Sequence, residues 1–307
     1  MSLIHTLLAL LIFPGGLFIV TNGLFYEWLD RKLVARLQNR MGPPWFQPIA
    51  DLVKLLLNEE IIPAGINRSL FRLLPIVAVS GTLTAMLYIP IAGLAPMLSY
   101  PGDLIATIYL LSMLTLCTGL AGANTSGQFA LVGSTRTLTQ LFAYEAPFLL
   151  SLLGPAFVAQ SWQMSEILAT TSNQWLCFIQ PIGFVVALVA LMGKLEIPPF
   201  DAPEAETEIV AGALTEYSGR GLALFHLGRA IELVGGLTLI AAFYLGGVNN
   251  PLEYVIKTLV LLLGVASIQT LMTRLRIDQT VGMWWRYGTL LVLLQWLIVF
   301  GLKGIGL

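Results

Sequence analysis

Charge is scarce in this sequence. Only 11% of its 307 residues are Asp, Glu, Lys or Arg, against 57% apolar residues, where a soluble domain carries about 25% charged residues. So thin a charged surface excludes a water-soluble globule and makes lipid the natural solvent. The 16 basic and 17 acidic residues leave a net charge of -1, so no bulk field favours nucleic acid. Cysteine is limited to Cys117 and Cys177, far apart in apolar runs and outside any Cys-x-x-Cys pair. That spacing excludes a disulfide framework and argues against an iron–sulfur cluster in this chain. Both thiols read as small buried apolar groups. His5 and His226 have no acidic or cysteine companions at ligand spacing, so they read as structural or interfacial, and no metal site is expected. A glycine-rich phosphate loop and a nucleophile elbow are missing. No internal repeat of the inverted-transporter kind is visible. No Lys or Arg precedes the N-terminal apolar stretch, which reads as a retained first helix rather than a cleaved signal.

What the sequence does have is length in its apolar runs. A helix needs about 20 apolar residues to cross a bilayer core of about 30 Å. Runs at roughly 4–26, 71–95, 104–122, 137–160, 177–193, 222–245, 254–273 and 286–302 meet that need. The expected fold is all-α: a single integral membrane domain, 1–307, forming a polytopic bundle of about eight transmembrane helices. Pro14, Pro147 and Pro155 interrupt two of the runs, which is tolerated where neighbouring helices satisfy the freed backbone groups.

The connections alternate in charge. The first holds Arg31, Lys32, Arg36, Arg40, Lys54 and Arg68, with Arg72 at its edge; the third ends at Arg136. The fifth carries Lys194 and Arg220, and the seventh Arg274 and Arg276, with Arg286 at its edge. The second, fourth and sixth hold no Lys or Arg before the next span. By the positive-inside rule the odd connections face the cytoplasm and both termini face outward. Within the first connection Phe46, Ile49, Ala50, Val53 and Leu57 form one helical stripe, with Gln47, Asp51, Lys54 and Asn58 off it. This reads as a short amphipathic helix, lying on the membrane surface, packed on the bundle or covered by a partner.

The fifth connection is the most acidic segment. Glu196, Asp201, Glu204, Glu206, Glu208 and Glu216 all fall within it. A helix opening at Pro203 would put Glu204 in its first turn and set Glu208 on the same face, with Glu206 pointing away. The segment is either a solvated acidic loop capping a helix or a line of carboxylates guiding protons or a cation into the membrane. Ionisable residues also occur inside the runs: Glu145 in the fourth, Arg229 and Glu232 one turn apart in the sixth, and Lys257 near the start of the seventh. At such depth a charge faces a partner or a wet cavity. Arg229 and Glu232 are either an ion pair that fixes packing or part of a path, and Glu145 either bonds a neighbouring helix or lies on that path.

Two segments resemble a known family. The first is Glu27-Trp-Leu-Asp-Arg-Lys-Leu-Val-Ala-Arg-Leu-Gln-Asn-Arg-Met-Gly-Pro-Pro, continuing through Gln47-Pro-Ile-Ala-Asp-Leu-Val-Lys-Leu-Leu. The second is Pro199-Phe-Asp-Ala-Pro-Glu-Ala-Glu-Thr-Glu, followed by Gly212 and Glu216-Tyr-Ser-Gly. Together they resemble respiratory complex I subunit 1, a family that includes the membrane subunit of energy-converting [NiFe] hydrogenases and of formate hydrogenlyase. The resemblance covers nearly the whole chain and implies a multi-pass subunit of a prokaryotic cell membrane. It would anchor a peripheral arm to other membrane subunits, antiporter-like ones among them. The resemblance implies no redox centre in this chain; iron–sulfur clusters and a NiFe centre would sit in hydrogenase-like large and small partner subunits. The first and fifth connections would form a docking floor, with Arg36, Arg40, Gln47, Asp51 and Lys54 in it. In quinone-reducing members the same connections line the quinone cavity. A proton or ion path would use Glu196, Asp201, Glu204, Glu206, Glu208, Glu216, Arg229 and Glu232, with Glu145 deeper. Three departures stand out: the short Gly42-to-Pro48 stretch, Ile197 and Pro198 where complex I members carry an arginine, and Arg229 where they carry a glutamate. These point away from a bound quinone and toward the hydrogenase type or its sulfur-reducing relative.

Overall fold

The computed structural model describes residues 11–172 and 174–304, with side chains up to residue 299. Part of the first predicted span, His5 and both chain ends lie outside the described residues. Every predicted span contains helix. The long elements are α1 (Gly16–Leu37), α2 (Gln47–Leu57), α3 (Arg68–Met86), α4 (Asp103–Ala123) and α5 (Gln128–Ala159). They are followed by α6 (Met164–Thr171), α7 (Leu176–Ile179), α8 (Pro181–Lys194), α9 (Glu206–Ile209), α10 (Gly219–Tyr244) and α11 (Pro251–Leu271). Next, α12 (Ile277–Met283) runs through a π-helical turn, Trp284–Thr289, into α13 (Leu290–Gly304) without a break. Five of these, α3, α4, α5, α10 and α11, are long and apolar enough to cross a membrane. Helix α1 is long but ends in a charged turn, and α8 has only 14 residues, or about 21 Å at 1.5 Å per residue. The chain is an all-α, multi-pass membrane bundle.

Helix α10 is the hub. From Ala230 to Tyr244 its side chains are buried all round, as an apolar, face-less helix must be in a bundle core. Helices α1, α2, α3, α4, α8 and α11 pack around it. Small residues permit the close approach: a Cβ on Gly236 would lie 2.1 Å from Leu191 Cδ1, and one on Gly228 2.6 Å from Leu114 Cδ1.

Tertiary contacts sort the connections onto two ends, as the charge pattern predicts. Ile61 N donates to Ser218 Oγ (3.0 Å), Asn124 Nδ2 to Asn67 O (3.1 Å) and Leu275 N to Pro199 O (2.9 Å), so the first, third, fifth and seventh connections meet at one end. At the other, Gln163 Nε2 donates to Ser99 Oγ (3.1 Å), and Gly93 abuts Asn250, joining the second, fourth and sixth.

Four sequence expectations need correction. The second span ends at Met86 rather than residue 95: Pro90 has no N–H to continue the ladder, and Ala92 and Gly93 take positive φ. The fifth span is broken at Gln180–Pro181 into α7 and α8 for the same reason. Helix α5 starts at Gln128, so Arg136 lies two turns inside it rather than on a loop. No helix opens at Pro203; Ala205 has φ 25° and only Glu206–Ile209 is helical.

The amphipathic helix is present. Pro48 is buried, Leu52 and Leu55 are half-buried beside α10, and Ile49, Val53, Leu56 and Leu57 are exposed. Its apolar stripe therefore faces outward, uncovered by the bundle.

Candidate functional site: a charged cavity above a buried relay

The fifth connection is pinned by α5. Gln140 Nε2, fully buried, donates to Gly193 O and Phe200 O, both at 2.8 Å. This one amide ties the end of α8 to the far side of the turn. Between them Glu196 sits at φ 54°, a left-handed conformation that persists only where the surroundings over-determine it. Its Oε2 meets Arg229 Nη2 at 2.7 Å, and Arg229 Nη1 also contacts Glu204 Oε1. Arg274 forks onto Asp201 (Nε–Oδ1 3.0 Å, Nη2–Oδ2 2.8 Å), a bidentate geometry that fixes orientation as well as charge. Arg136 Nη1 reaches Ala202 O at 3.2 Å and Glu208 Oε2 at 2.8 Å.

Glu196, Asp201, Glu204, Arg229 and Arg274 border a cavity of 580 Å³ that Glu27 and Asp30 also line. A neighbouring cavity of 340 Å³ between α1, α2 and α10 shares Glu27, Arg31 and His226 with it and includes Asp51 and Lys54. The end of α1 is therefore a wall common to both. Burial pushes Glu196 up to about 7, against the opposing pull of Arg229, so this carboxyl is poised to exchange a proton near neutrality. Glu208 goes the other way: the Arg136 hydrogen bond and charge hold it below the usual carboxylate range.

Beneath the cavity lies a buried series of polar side chains from three helices and the end of a fourth. Lys194, the last residue of α8, is fully buried, with Tyr144 and Phe148 rings 5.5 and 5.8 Å from its Nζ. Its Nζ lies 3.5 Å from Glu232 Oε1 on α10 and donates to Ser112 Oγ on α4 at 2.9 Å. Ser112 Oγ donates to Glu145 Oε1 on α5 at 2.6 Å. Glu232–Lys194–Ser112–Glu145 is thus a relay across the bundle made of one ion pair and two hydrogen bonds. Buried charges persist only when paired, and removing one member of such a pair costs about 3–5 kcal/mol. One oxygen each of Glu145 and Glu232 in the relay, and of Glu196 at the cavity, is buried without a hydrogen-bond partner, so both retain acceptor capacity.

The structure brings some predicted residues together and separates others. Arg229 does not pair with Glu232; it takes Glu196 and Glu204, while Glu232 takes Lys194. Two residues one turn apart can touch, but here each faces a closer partner from another segment. Glu204 and Glu208 do not share a face: Glu204 turns to Arg229 and Glu208, about half exposed, to Arg136 and Arg274. Glu206 is exposed and lines the larger cavity. Glu216 stands apart, half-buried against Gly127. On the first connection Gln47 donates to Asp51, and Asp51 pairs with Arg31. Arg36, Arg40 and Lys54 are exposed. Lys257 pairs with Glu253, apart from the cavity. Sequence reasoning missed Lys194 and Ser112. Lys194 closes an apolar run, the pattern of a topological flanking lysine; the available signal that it stays inside was Pro181, which leaves only 14 helical residues up to Lys194.

The fold and site define a class: a multi-pass helical membrane subunit with a charged, cavity-bearing platform at one end and buried acids beneath it. The chain belongs to the NADH dehydrogenase family, the family of complex I subunit 1, whose profile matches residues 8–300. It is 33% identical over 295 residues to the H-type subunit of NADH-quinone oxidoreductase from Dehalococcoides mccartyi, covering 92% of this chain and 83% of that one. It is 35% identical over 249 residues to the corresponding NADH-quinone oxidoreductase chain of Bacillus thuringiensis (79% and 74% covered). Among solved structures it matches a chain of the membrane-bound sulfane sulfur reductase, an archaeal respiratory membrane complex, with TM-score 0.84, 25% identity, and 94% and 97% of the two chains covered. The protein is therefore a membrane subunit of a complex I-like oxidoreductase.

Proposed function

We propose that this chain is the membrane-anchoring subunit of a respiratory, energy-converting hydrogenase-type complex. It couples ferredoxin-driven electron transfer in a peripheral arm to H+ or Na+ translocation across a prokaryotic cell membrane. The cavity-bearing end faces the cytoplasm, by the excess of Lys and Arg there, and Arg36, Arg40, Gln47, Asp51 and Lys54 contribute to the floor on which the iron–sulfur subunit docks. One observation carries the reading. Glu196 and Arg229 at the cavity stand over the relay of Glu232, Lys194, Ser112 and Glu145, which is buried where charge is costly. An anchor alone needs no such series.

The test uses sealed membrane vesicles holding the whole complex. Glu145→Gln should leave hydrogen evolution from an artificial donor running while coupled ion movement falls. Unchanged coupling would remove the path from this chain. A second reading, a quinone or sulfur acceptor at the platform, is favoured by the 580 Å³ cavity and by the acceptors named for the relatives. A photoreactive quinone that labels Glu27, Arg31 or His226, competed by free quinone, would decide for it; hydrogen evolution by the purified complex would decide against it.

A further inference from the structure

A groove between α5 and α12 shares only Arg274 with the 580 Å³ cavity, and it has an excess of arginine. Helix α12 packs against α5. Two hollows of 380 and 490 Å³ follow that seam, and Ile277 and Asp278 border both. Arg136, Arg274 and Arg276 line the first and Arg286 the second. Two of these are engaged: Arg136 by Glu208 and Arg274 by Asp201, each at 2.8 Å. Arg276 and Arg286 are exposed and form no ion pair among the described residues. Four arginines thus face three carboxylates, Asp201, Glu208 and Asp278, which leaves one positive charge over.

The groove lies at a membrane border. Trp285 and Tyr287, on either side of Arg286, are 53% and 63% exposed, the aromatic pattern of a helix leaving the apolar core for the headgroup layer. Between Arg286 and Lys303 the sequence has no charged residue. That is about 26 Å of helix at 1.5 Å per residue, against a bilayer core of about 30 Å. Away from the arginines the lining turns apolar. Ile277, Val281 and Trp285 recur every fourth residue along one side of the α12–α13 helix and line the groove. Phe142 of α5, 68% exposed, lies one turn beyond the lining residue Thr139.

We propose that this groove holds an anionic phospholipid of the leaflet at the cavity-bearing end, its phosphodiester on Arg276 and Arg286 and an acyl chain along Val281, Trp285 and Phe142. A guanidinium meets a phosphate through paired N–H donors, and a phosphodiester carries the one negative charge that the groove lacks. Basic pockets between spanning helices suit such headgroups. A soluble phosphate would match the arginines but leave the apolar stretch uncovered. A zwitterionic lipid would match the apolar stretch but bring a cation of its own to the arginines. The lipid site is separate from the relay and stands whichever ion the complex moves.

The test uses the whole complex in nanodiscs of phosphatidylcholine, with a small amount of phosphatidylglycerol carrying a photoreactive group on its acyl chain. We expect label on peptides that contain Phe142 or Trp285, displaced by excess unlabelled phosphatidylglycerol and untouched by excess glycerol phosphate. In the double substitution Arg276→Gln, Arg286→Gln that labelling should fall about tenfold or more, the scale of two arginines facing an anionic headgroup. Both side chains are exposed, so the complex should still assemble. Asp278→Asn is the variant of opposite sign: removing a carboxylate from the groove should raise the labelling. Equal labelling by a phosphatidylcholine probe, or labelling unchanged in the double variant or in Asp278→Asn, would mean ordinary boundary lipid and overturn the proposal. Competition by glycerol phosphate would mark a soluble-anion site, and no label in the groove would mark a face covered by another subunit; either result would also overturn it.

Discussion

Glu196→Gln is the substitution whose effect on stability is most directly worked out from the geometry. The carboxyl lies in the connection after α8, outside the spanning helices, and is only 5% exposed. Burial raises it from 4.5 to about 7, with Arg229 pulling it down and Glu204 pushing it up. A rise of that size corresponds to roughly 3 kcal/mol between the two protonation states, at about 1.4 kcal/mol per pKa unit. The folded chain holds the Glu196 proton more tightly than the unfolded chain does. Its contribution to stability is fully present below the unfolded value and is lost as pH climbs from 4.5 through about 7. Gln keeps an oxygen for Arg229 and cannot ionise, so the variant loses this part of the slope. Thermal unfolding of the complex in nanodiscs between about pH 5 and about pH 8 reads the difference. Wild type should lose stability relative to Glu196→Gln as pH rises, by up to about 3 kcal/mol. Parallel pH profiles, or a wild type that gains on the variant with rising pH, would refute the burial argument.

Other substitutions test the scaffold around the site. Gln140→Leu strips the donor from the buried Gly193 and Phe200 carbonyls, at about 1–3 kcal/mol for each acceptor left unsatisfied; a lower melting temperature and faster proteolysis within 195–211 should follow. Asp201→Asn weakens the bidentate pair with Arg274, a partly exposed contact worth about 1 kcal/mol. Its larger expected effect is weaker retention of the peripheral arm, read by native gel electrophoresis. Gly133→Ala drives a Cβ to 2.3 Å from Ala213 N and 2.4 Å from Gly212 C. These are backbone atoms, so the cost is an overpacking one of about 1–3 kcal/mol, visible as reduced yield of folded protein in membranes.

The spans were legible in the sequence because apolar length is a one-dimensional property. The two-ended arrangement was legible because Lys and Arg are confined to alternate connections. Pairing was not legible, because it depends on segments far apart in the chain. Arg274 finds Asp201 across 73 residues, and Lys194 meets Ser112 across 82. Arg229 and Glu232 looked like partners because they lie one turn apart, but Glu196 is delivered to Arg229 by an irregular turn whose positive φ no propensity predicts. Lys194 looked like a lysine at the membrane border. It is inside because α8 is short and Gln140 draws the following turn back into the bundle. The carboxylates of the acidic motif do not act as one line: Glu196 and Glu204 turn to Arg229, Asp201 to Arg274 and Glu208 to Arg136, while Glu206 is exposed and Glu216 stands apart.

The central claim is that acids held inside the bundle carry ions between a redox platform and the pump beside it. Proton movement per electron in sealed vesicles carrying Glu232→Gln complex tests it most directly. Loss of that carboxylate should let electrons from an artificial donor keep flowing while the ratio falls by about tenfold or more; an unchanged ratio would contradict the claim and leave the chain a scaffold.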